Sequence, residues 1–435
     1  MEGRLATDTS ISVRDRASPK KRQRMVAATG SETKAEIAIV GAGLTGLAAA
    51  AALSREGFAV VLAAPAFDEA AAQADTRTTA LLPPSVQLLE NLAVWQSCRA
   101  DGAPLLGVRI IDDRGGLLRA PEVLFEASEI GWQDLGANLP NACLSAAFAR
   151  TLRAAPNLRW LPTRAITTVA PGPSQVTLGL AEGGRIEARL VVAADGRNST
   201  CRAAAAIPVR TWDYPQVAIA ASLTHVRAHG GISTEFHRRP GPLTTVPLPG
   251  LASSLVWVEA PEEAARLAAL AEREFASVLE ARLMGVLGPI EALGPRRLFP
   301  LAGLAAQSLG RRRIALVGEA AHVIPPIGAQ GLNLGLRDVA TLADCVAQAR
   351  ANGRDIGGEE TLAAYAAARA ADVVSRTAMV DLLNRSLLTD FLPAQALRGL
   401  GLHMLAASGP LRRLAIRGGA GSPSPLPRLM RADRR

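Results

Sequence analysis

A glycine-rich turn between an apolar strand and a helix constrains this chain more than any other feature. The apolar run Ile37–Val40 leads into Gly41-Ala42-Gly43-Leu44-Thr45-Gly46 and then into helix-forming residues 47–54. The first glycine permits a tight turn, the second lets a pyrophosphate approach the backbone, and the third lets the helix pack closely on the strand. The helix N-terminus offers free N–H groups to the phosphates. The segment predicts a dinucleotide-binding unit.

The acid that commonly follows the second strand of such a unit is missing. Residues 58–62 form the predicted second strand, and Ala63-Ala64-Pro65 takes the place of an acid that would bind the adenosine ribose. Asp68 and Glu69 lie beyond that proline. The sequence therefore predicts weaker ribose recognition, or recognition by backbone groups.

Two further apolar strands end in small and acidic residues. Residues 190–194 precede Asp195 and Gly196, and residues 313–317 precede Gly318 and Glu319. Ligands of open α/β sheets bind beyond the carboxyl ends of the strands, so both ends are predicted to border one site. Residues 325–333 then lead into a long amphipathic helix, whose N-terminus is predicted to point its positive dipole end at the same crevice.

Composition limits the class of protein. The chain has 435 residues, of which 49% are hydrophobic and 20% charged, as expected of a globular α/β protein with two interleaved domains or of a single large α/β body with an inserted sheet. The net charge of +9 is spread over scattered arginines, which argues against nucleic-acid binding. The cysteines lie far apart in sequence, so we expect no disulfide framework and no metal site, as in a cytoplasmic protein.

The N-terminus and the apolar segments predict no membrane span. Residues 1–34 are polar and are predicted to be a disordered extension, with Met25 as a candidate start. The uncharged run 37–53 holds three glycines and fits a strand, turn and helix better than a span. Any membrane contact is therefore predicted to be peripheral.

Taken together, these segments resemble the flavoprotein aromatic hydroxylases of the para-hydroxybenzoate hydroxylase type, and within them the ubiquinone-biosynthesis branch. The resemblance spans residues 37–417. It rests on the glycine turn, 75–81 (DTRTTAL), 195–196 (DG), 318–322 (GEAAH) and 330–338 (QGLNLGLRD), with further likeness at 129–131 and 138–141. Glu319 replaces the family's usual Asp but keeps the carboxylate, and residues 328–331 read Gly-Ala-Gln-Gly in place of Ala-Gly-Gln-Gly.

The resemblance implies an α/β fold in which a Rossmann-like FAD-binding domain of three-layer ββα architecture is interleaved with a β-sheet substrate domain and followed by C-terminal helices. The implied boundaries are 35–105, 135–210 and 300–350 for the FAD-binding domain, 106–134 and 211–299 for the substrate domain, 351–420 for the helical region, and 421–435 for a flexible tail.

The resemblance also implies which residues bind FAD. They are Gly41, Ala42, Gly43, Leu44, Gly46, Arg77, Asn141, Asp195, Gly196, Gly318, Glu319, Gly331, Leu332 and Asn333. Among them, Arg77 reaches the phosphate or ribityl region, Asn141 the flavin chain, and Glu319 the ribityl hydroxyls. Asp195 also touches the passing nicotinamide, and Asn333 lies beside the isoalloxazine. No general base and no other catalytic residue is predicted.

The implied activity is that of an FAD-dependent, NAD(P)H-using monooxygenase. It hydroxylates the aromatic ring of a polyprenylated phenol in ubiquinone biosynthesis with O2, through a flavin C4a-hydroperoxide. Such chemistry needs an apolar chamber, predicted from strand-like segments 107–125 and 217–259. The leucine-rich, arginine-punctuated segment 379–417 either packs on the body or forms a face that meets the inner side of the cytoplasmic membrane. Membership of a biosynthetic complex is also implied.

Two other classes of protein stay open at this stage. One is another enzyme of the same fold: a flavin-dependent reductase, a halogenase or a different aromatic hydroxylase. The WxWxIP-like stretch of halogenases is absent from the sequence. The other is a non-catalytic flavoprotein that serves as an accessory factor of a biosynthetic complex. Substrate-stimulated oxidation of NAD(P)H separates the enzymes from the accessory factor.

Overall fold

The computed structural model describes residues 32–114, 120–389, 392–421 and 425–432. Most of the predicted N-terminal extension lies outside these ranges, but residues 32–34 already belong to the first strand. The strands are β1 (Glu32–Val40), β2 (Val60–Ala64), β3 (Thr78–Leu81), β4 (Ala103–Pro104), β5 (Gly107–Asp112), β6 (Val123–Glu126), β7 (Ala137–Pro140), β8 (Leu158–Pro162), β9 (Ile166–Pro171), β10 (Val176–Leu180), β11 (Arg185–Ala193), β12 (Val209–His225), β13 (Ile232–His237), β14 (Leu243–Leu248), β15 (Ala252–Glu259), β16 (Ile290–Leu293), β17 (Arg297–Ala306), β18 (Gly310–Arg311), β19 (Ile314–Leu316) and β20 (His322–Val323).

The helices follow the strands in an α/β order along the first half of the chain. They are α1 (Leu44–Arg55), α2 (Glu69–Gln73), α3 (Pro83–Asn91), α4 (Asn141–Arg153), α5 (Thr200–Ala204), α6 (Pro261–Ala269), α7 (Glu272–Arg282), α8 (Gln330–Ala351), α9 (Glu359–Leu388), α10 (Leu392–Ala407) and α11 (Gly409–Ala420). Short 3-10 helices include 318–320 and 428–430.

The first sheet has the order β18-β19-β11-β1-β2-β8, and its four central strands are parallel. The alanine-rich helix α1 packs against α4 and α8, and its small side chains let these helices approach closely. Two glycines of the turn before α1 are required by the backbone. Gly41 has a φ of +104°, and a Cβ on Gly46 would overlap the carbonyl oxygen of Gly41. The predicted strand, turn and helix are confirmed.

The second sheet has the order β20-β17-β12-β15-β14-β13-β5-β6, with β16 paired to β12. It contains the segments predicted to form the chamber, and α6 and α7 cover its outer face through a cluster that includes Trp257 and Phe275. The predicted return to the first domain at residue 300 is wrong in its position. That boundary falls inside β17, which stays hydrogen-bonded to β12 as far as Ala306. A small third sheet has the order β3-β7-β4, and side-chain hydrogen bonds from Thr78 and Asn138 join it to the second sheet.

The C-terminal region begins with the long helices α8 and α9 and ends in a segment that is folded, not free. Leu429 and Met430 are 3% and 2% exposed and belong to the core of the first sheet. The side-chain amide of Asn91 donates to the carbonyl oxygens of Leu429 and Arg431. The predicted flexible tail is therefore wrong for residues 425–432, because two apolar side chains anchor it. Of the helices described, none is long and apolar enough to cross a membrane.

Candidate active site

A cavity of about 570 Å³ lies between the carboxyl ends of the first sheet and one face of the second. Most of the residues that the sequence predicts to bind a dinucleotide line it. They are Gly43, Leu44, Gly46, Arg77, Asn141, Gly196, Gly318, Glu319, Gly331 and Leu332. The structure thus brings together residues that are separated by nearly 290 positions in the chain, because several strand ends and the α8 N-terminus meet at one edge.

Four predicted residues lie behind the cavity wall. Gly41 and Ala42 form the turn beneath Gly43. One oxygen of Asp195 accepts from Thr200 Oγ1 and the Cys201 backbone N–H, at 3.2 and 3.1 Å. The amide nitrogen of Asn333 donates to the carbonyl oxygens of Ala80 and Ala329, and its oxygen accepts from the backbone N–H of Leu82. Asn333 therefore fastens β3 to α8.

A polar cluster on one side of the cavity joins Arg77 and Asn141, which were predicted to bind the cofactor, through Asp75, which was not. Arg77 forms two hydrogen bonds to the carboxylate of Asp75, both of 2.8 Å. Asn141 Nδ2 lies 3.4 Å from the same carboxylate, and Thr79 Oγ1 donates to Asn141 Oδ1 at 2.7 Å. Burial opposes ionisation of Asp75, but the hydrogen bonds from Arg77 outweigh it and lower its pKa. Arg77 also lies over the ring of Phe299, 5.6 Å from its centre.

The expected dinucleotide fits the donors and the open space at this edge. A Cβ built on Gly43 or on Gly331 would meet no atom within 4 Å, so both glycines border empty volume. The first N–H groups of α1 have no partner within the helix, and Leu44, Thr45 and Gly46 all line the cavity. The Glu319 carboxylate is exposed on the same side. Free N–H groups of the kind that phosphates bind and a carboxylate able to accept hydrogen bonds are therefore both present.

The wall that the second sheet contributes is apolar. The predicted chamber segment 217–259 supplies part of it, whereas no described residue of the other predicted segment, 107–125, lines the cavity. The wall consists of Ala218, Ala220, Ala221, Leu255, Val256, Phe299, Pro300, Leu301 and Ala302, together with the hydroxyl of Ser254. The alternation of small and large residues along β12 and β15 is the only sequence signal of this wall. Such a surface suits an aromatic or aliphatic ligand and excludes water.

A network of fully buried charges lies behind the opposite wall and was also missed. His322 lines the cavity, and its Nε2 is 2.6 Å from Oδ2 of Asp338. Arg369 Nε donates to the other Asp338 oxygen at 2.8 Å, and Arg369 also pairs with Asp372. Arg376 extends the network from Asp372 to the side chain of Gln330 at the start of α8. In the part of the chain described, no group of three or more His, Cys, Asp and Glu is placed to hold a metal ion.

Comparison with known sequences also indicates an FAD-binding protein. The family model described as "FAD binding domain" matches residues 34–379. A ubiquinone hydroxylase of Rhodospirillum rubrum, UbiL, is 37% identical over 410 residues, which cover 93% of this chain and 94% of that protein. The 3-demethoxyubiquinol 3-hydroxylase of Escherichia coli is 32% identical over 390 residues, which cover 88% of this chain and 97% of that protein.

Solved structures share the fold at lower sequence identity. The p-nitrophenol 4-monooxygenase PnpA of Pseudomonas putida superposes with a TM-score of 0.73 at 18% identity, covering 91% of this chain and all of that one. HpxO of Klebsiella pneumoniae, solved with FAD and uric acid, gives 0.68 at 18% identity, covering 90% and 97%. Since the family model spans most of the chain and the sequence relatives span nearly all of it, the chain belongs to the FAD-dependent hydroxylases of ubiquinone biosynthesis.

Proposed function

We propose that this chain uses FAD, NAD(P)H and O2 to hydroxylate the aromatic ring of a polyprenylated phenol on the route to ubiquinone. The observation that carries the proposal is the pairing of two unlike walls across one cavity. On one side are the glycine turn and the N-terminus of α8, and on the other is the apolar face of β12, β15 and β17. A dinucleotide on the first wall meets a ring on the second, where water is excluded.

The residues around the first wall have separate roles toward the cofactor. The turn at Gly43 and the start of α1 would bind the pyrophosphate, and Arg77, held by Asp75, would bind the phosphate or ribityl part of the cofactor. Glu319 accepts hydrogen bonds from the ribityl hydroxyls. Gly331 and Leu332, at the positive end of the α8 dipole, would hold the isoalloxazine. When bound, FAD supplies the electron transfer from NAD(P)H and the activation of O2.

The chain's own contribution to the reaction is binding, orientation and exclusion of water. Phe299, Leu301 and Ala218 pack against a ring placed between the sheet and the cofactor. The apolar wall holds the reacting carbon at a fixed position, which replaces a bimolecular encounter by an intramolecular one.

Two measurements test the proposed function. Purified protein is expected to be yellow and to release FAD, not FMN, on heating, as seen by chromatography of the supernatant. A prenylated phenol is expected to stimulate NAD(P)H oxidation and to yield a product heavier by one oxygen atom in mass spectrometry. Oxidation of NAD(P)H with no oxygenated product would favour a reductase, and bound FAD with no substrate-stimulated oxidation would favour an accessory flavoprotein.

The C-terminal helices support a further proposal, that the enzyme contacts the membrane peripherally to reach its substrate's lipid tail. α10 and α11 expose Leu397, Leu400, Met404, Leu411 and Leu414, of which Leu397 and Leu414 are 70% and 68% exposed. A polyprenyl tail leaves a bilayer only at a cost of about 0.8 kcal/mol for each methylene group transferred to water. An enzyme that lies on the lipid surface avoids that cost.

Two of the arginines on these helices are engaged in ion pairs within the protein. Arg412 is paired with Glu129 at 2.9 Å, and Arg398 with Asp112 at 2.8 Å. Arg413 and Arg417 are exposed beside Leu414, and neither makes an ion pair with another described residue. The electrostatic part of the proposed membrane face therefore rests on Arg413 and Arg417.

A further inference from the structure

We propose that Thr78 Oγ1, oriented by Ser254 and Asn138, accepts a hydrogen bond from the ring hydroxyl of the substrate and so selects a phenol. This inference rests on the proposed function, since it assigns a contact for the phenol within the same cavity. Thr78 lies on β3 and Ser254 on β15, and both line the cavity where the small third sheet meets the second.

The hydrogen bonds around Ser254 are consistent with one direction, from Asn138 and Thr78 to Ser254 and from Ser254 to Val246. Asn138 is 1% exposed, and its amide nitrogen donates to the carbonyl oxygen of Pro247 at 2.9 Å and to Ser254 Oγ at 3.2 Å. The carbonyl of Pro247 can only accept, so the amide nitrogen of Asn138 must face it. The second hydrogen of that amide is therefore directed at Ser254.

Ser254 has no capacity left for a ligand. A serine hydroxyl carries one hydrogen and accepts two. Ser254 Oγ accepts from Asn138 and from Thr78 Oγ1, the latter at 2.8 Å, and directs its own hydrogen to the carbonyl oxygen of Val246 at 3.4 Å. In this arrangement Thr78 donates its single hydroxyl hydrogen to Ser254. Within the described structure no donor reaches Thr78 Oγ1, so this oxygen faces the cavity as an acceptor.

The neighbouring threonine shows that this arrangement belongs to Thr78 alone. Side chains alternate along a strand, and the hydroxyl of Thr79 points the other way, to Asn141 in the cofactor-side cluster. The rest of the second-sheet wall offers alanine, leucine, valine, phenylalanine and proline. An acceptor in such surroundings is satisfied by an O–H donor and not by a quinone carbonyl, an ether or a carboxylate. The geometry therefore selects a ring in its neutral phenol form.

The test compares two ligands on the oxidised parent holoenzyme and on three variants of it. The ligands are a short-chain prenylated phenol and its methyl ether, and their Kd values are read from the change in flavin absorbance. In Thr78→Val the phenol is expected to bind roughly 3- to 10-fold more weakly, as for one lost hydrogen bond, while the ether is unaffected. Thr78→Ser is expected to restore phenol binding. Ser233→Ala serves as the matched control, because Ser233 is a buried serine of the second sheet whose hydroxyl donates to the Thr245 carbonyl oxygen.

A second variant reverses the polarity of the subsite. Ser254→Ala removes the acceptor of the Thr78 hydrogen, so Thr78 becomes free to donate, and the preference for phenol over ether is expected to fall. Thermal unfolding checks that each variant is folded. Equal losses for both ligands in Thr78→Val, or an unchanged preference in Ser254→Ala, would overturn the inference. If the proposed function is wrong, the parent protein forms no oxygenated product. That outcome is measured independently of these Kd values.

Discussion

Oδ2 of Asp338 lies 2.6 Å from Nε2 of His322, and both side chains are buried, at 0% and 1% exposure. The same oxygen accepts the backbone N–H of Gly318 at 3.1 Å. One carboxylate on α8 therefore holds both the cavity-lining histidine and the turn that carries Glu319. Burial opposes ionisation of Asp338, but the charges of His322 and Arg369 outweigh it and lower its pKa. The position of the proposed ribityl-binding turn thus depends on an ionised, buried carboxylate.

The buried network predicts loss of stability in acid. Burial opposes ionisation of Asp372, but Arg337 and Arg369 outweigh it and lower its pKa to about 2, from an ordinary value of 3.8. A carboxyl with a lowered pKa stabilises the fold fully above its unfolded-state pKa, and that stabilisation is lost as pH falls toward its folded-state pKa. In urea unfolding, the contribution of Asp372 to the free energy of unfolding is expected to be constant above pH 5. It is expected to fall by roughly 2 kcal/mol between pH 4 and pH 2.

Two variants separate this effect from general acid unfolding. Asp372→Asn leaves Arg337, Arg369 and Arg376 without their shared carboxylate, so it is expected to lower stability at pH 7 and to flatten the decline between pH 4 and pH 2. Glu90→Gln, at an exposed position of α3, is expected to keep the parent's pH profile. A profile of Asp372→Asn that runs parallel to the parent's in this window contradicts the prediction.

The sequence predicts the ends of elements that meet the cofactor better than the surfaces that meet the substrate. The glycine turn is recognisable because each glycine answers a local requirement, such as the positive φ of Gly41. The alanines of β12 are not required by the conformation of their own strand. They line the cavity because β12 pairs with β15 and β17, which are distant in sequence. The same reason hides the Thr78–Ser254 contact, which joins residues 176 positions apart.

Errors at the domain boundaries have the same origin. The prediction ended the substrate domain at residue 299, but β17 runs on to Ala306 because its partner β12 is 17 residues long. The amide of Asn333 binds the backbone at Leu82 and Ala80, which lie 251 and 253 positions away in the chain. Pairing between distant segments decides both features, and no short window of sequence contains it.

Gly43→Val tests the phosphate site without disturbing the fold. Gly43 has an ordinary φ of −64°, and a Cβ there meets no atom of the protein within 4 Å. The variant is therefore expected to fold as the parent does, by circular dichroism and apoprotein thermal unfolding, but to retain no FAD after gel filtration, because the side chain fills the space needed by the pyrophosphate. A variant that keeps FAD, or one that is unfolded as apoprotein, would show that Gly43 does not act through this space.

Glu319→Ala is expected to weaken FAD binding by roughly 1–3 kcal/mol, the effect of losing a charge-assisted hydrogen bond. Because the Glu319 side chain is exposed, the stability of the apoprotein should change little. Glu319→Asp restores the residue that the family commonly has and is the matched control, expected to bind FAD within a few-fold of the parent. Fluorescence quenching of FAD titrated with apoprotein gives the three Kd values, and equal values for Ala and Glu argue against the ribityl role.

Removing residues 425–435 is expected to destabilise the protein by roughly 3–5 kcal/mol. The deletion exposes the core positions filled by Leu429 and Met430, each worth about 1.5–3 kcal/mol when fully buried. It also removes Arg428, which pairs with Glu56 on the surface and contributes little. Urea unfolding of this truncation, compared with one that lacks only 433–435, measures the effect. Similar stabilities for the two truncations would mean that this segment does not support the core.

The last prediction concerns attachment to lipid. Arg413→Glu combined with Arg417→Glu is expected to weaken binding to anionic vesicles, since each cation near the surface contributes about 1 kcal/mol of attraction, and the difference should shrink as salt is raised. Arg412 is left unchanged because its pair with Glu129 holds α11 on the body. Leu397→Ser with Leu414→Ser is expected to weaken binding at high salt as well, because these side chains bury in the interface.

The matched control reverses the same number of charges elsewhere. Arg153 and Arg159 are exposed at the end of α4 and on β8, and Arg153→Glu with Arg159→Glu changes the net charge equally. Co-sedimentation at two salt concentrations then distinguishes a localised face from overall charge. If the control loses as much vesicle binding as the Arg413 and Arg417 variant, the attraction comes from net charge alone. If neither variant loses any, and the leucine variant also binds as the parent does, α10 and α11 only cover the protein.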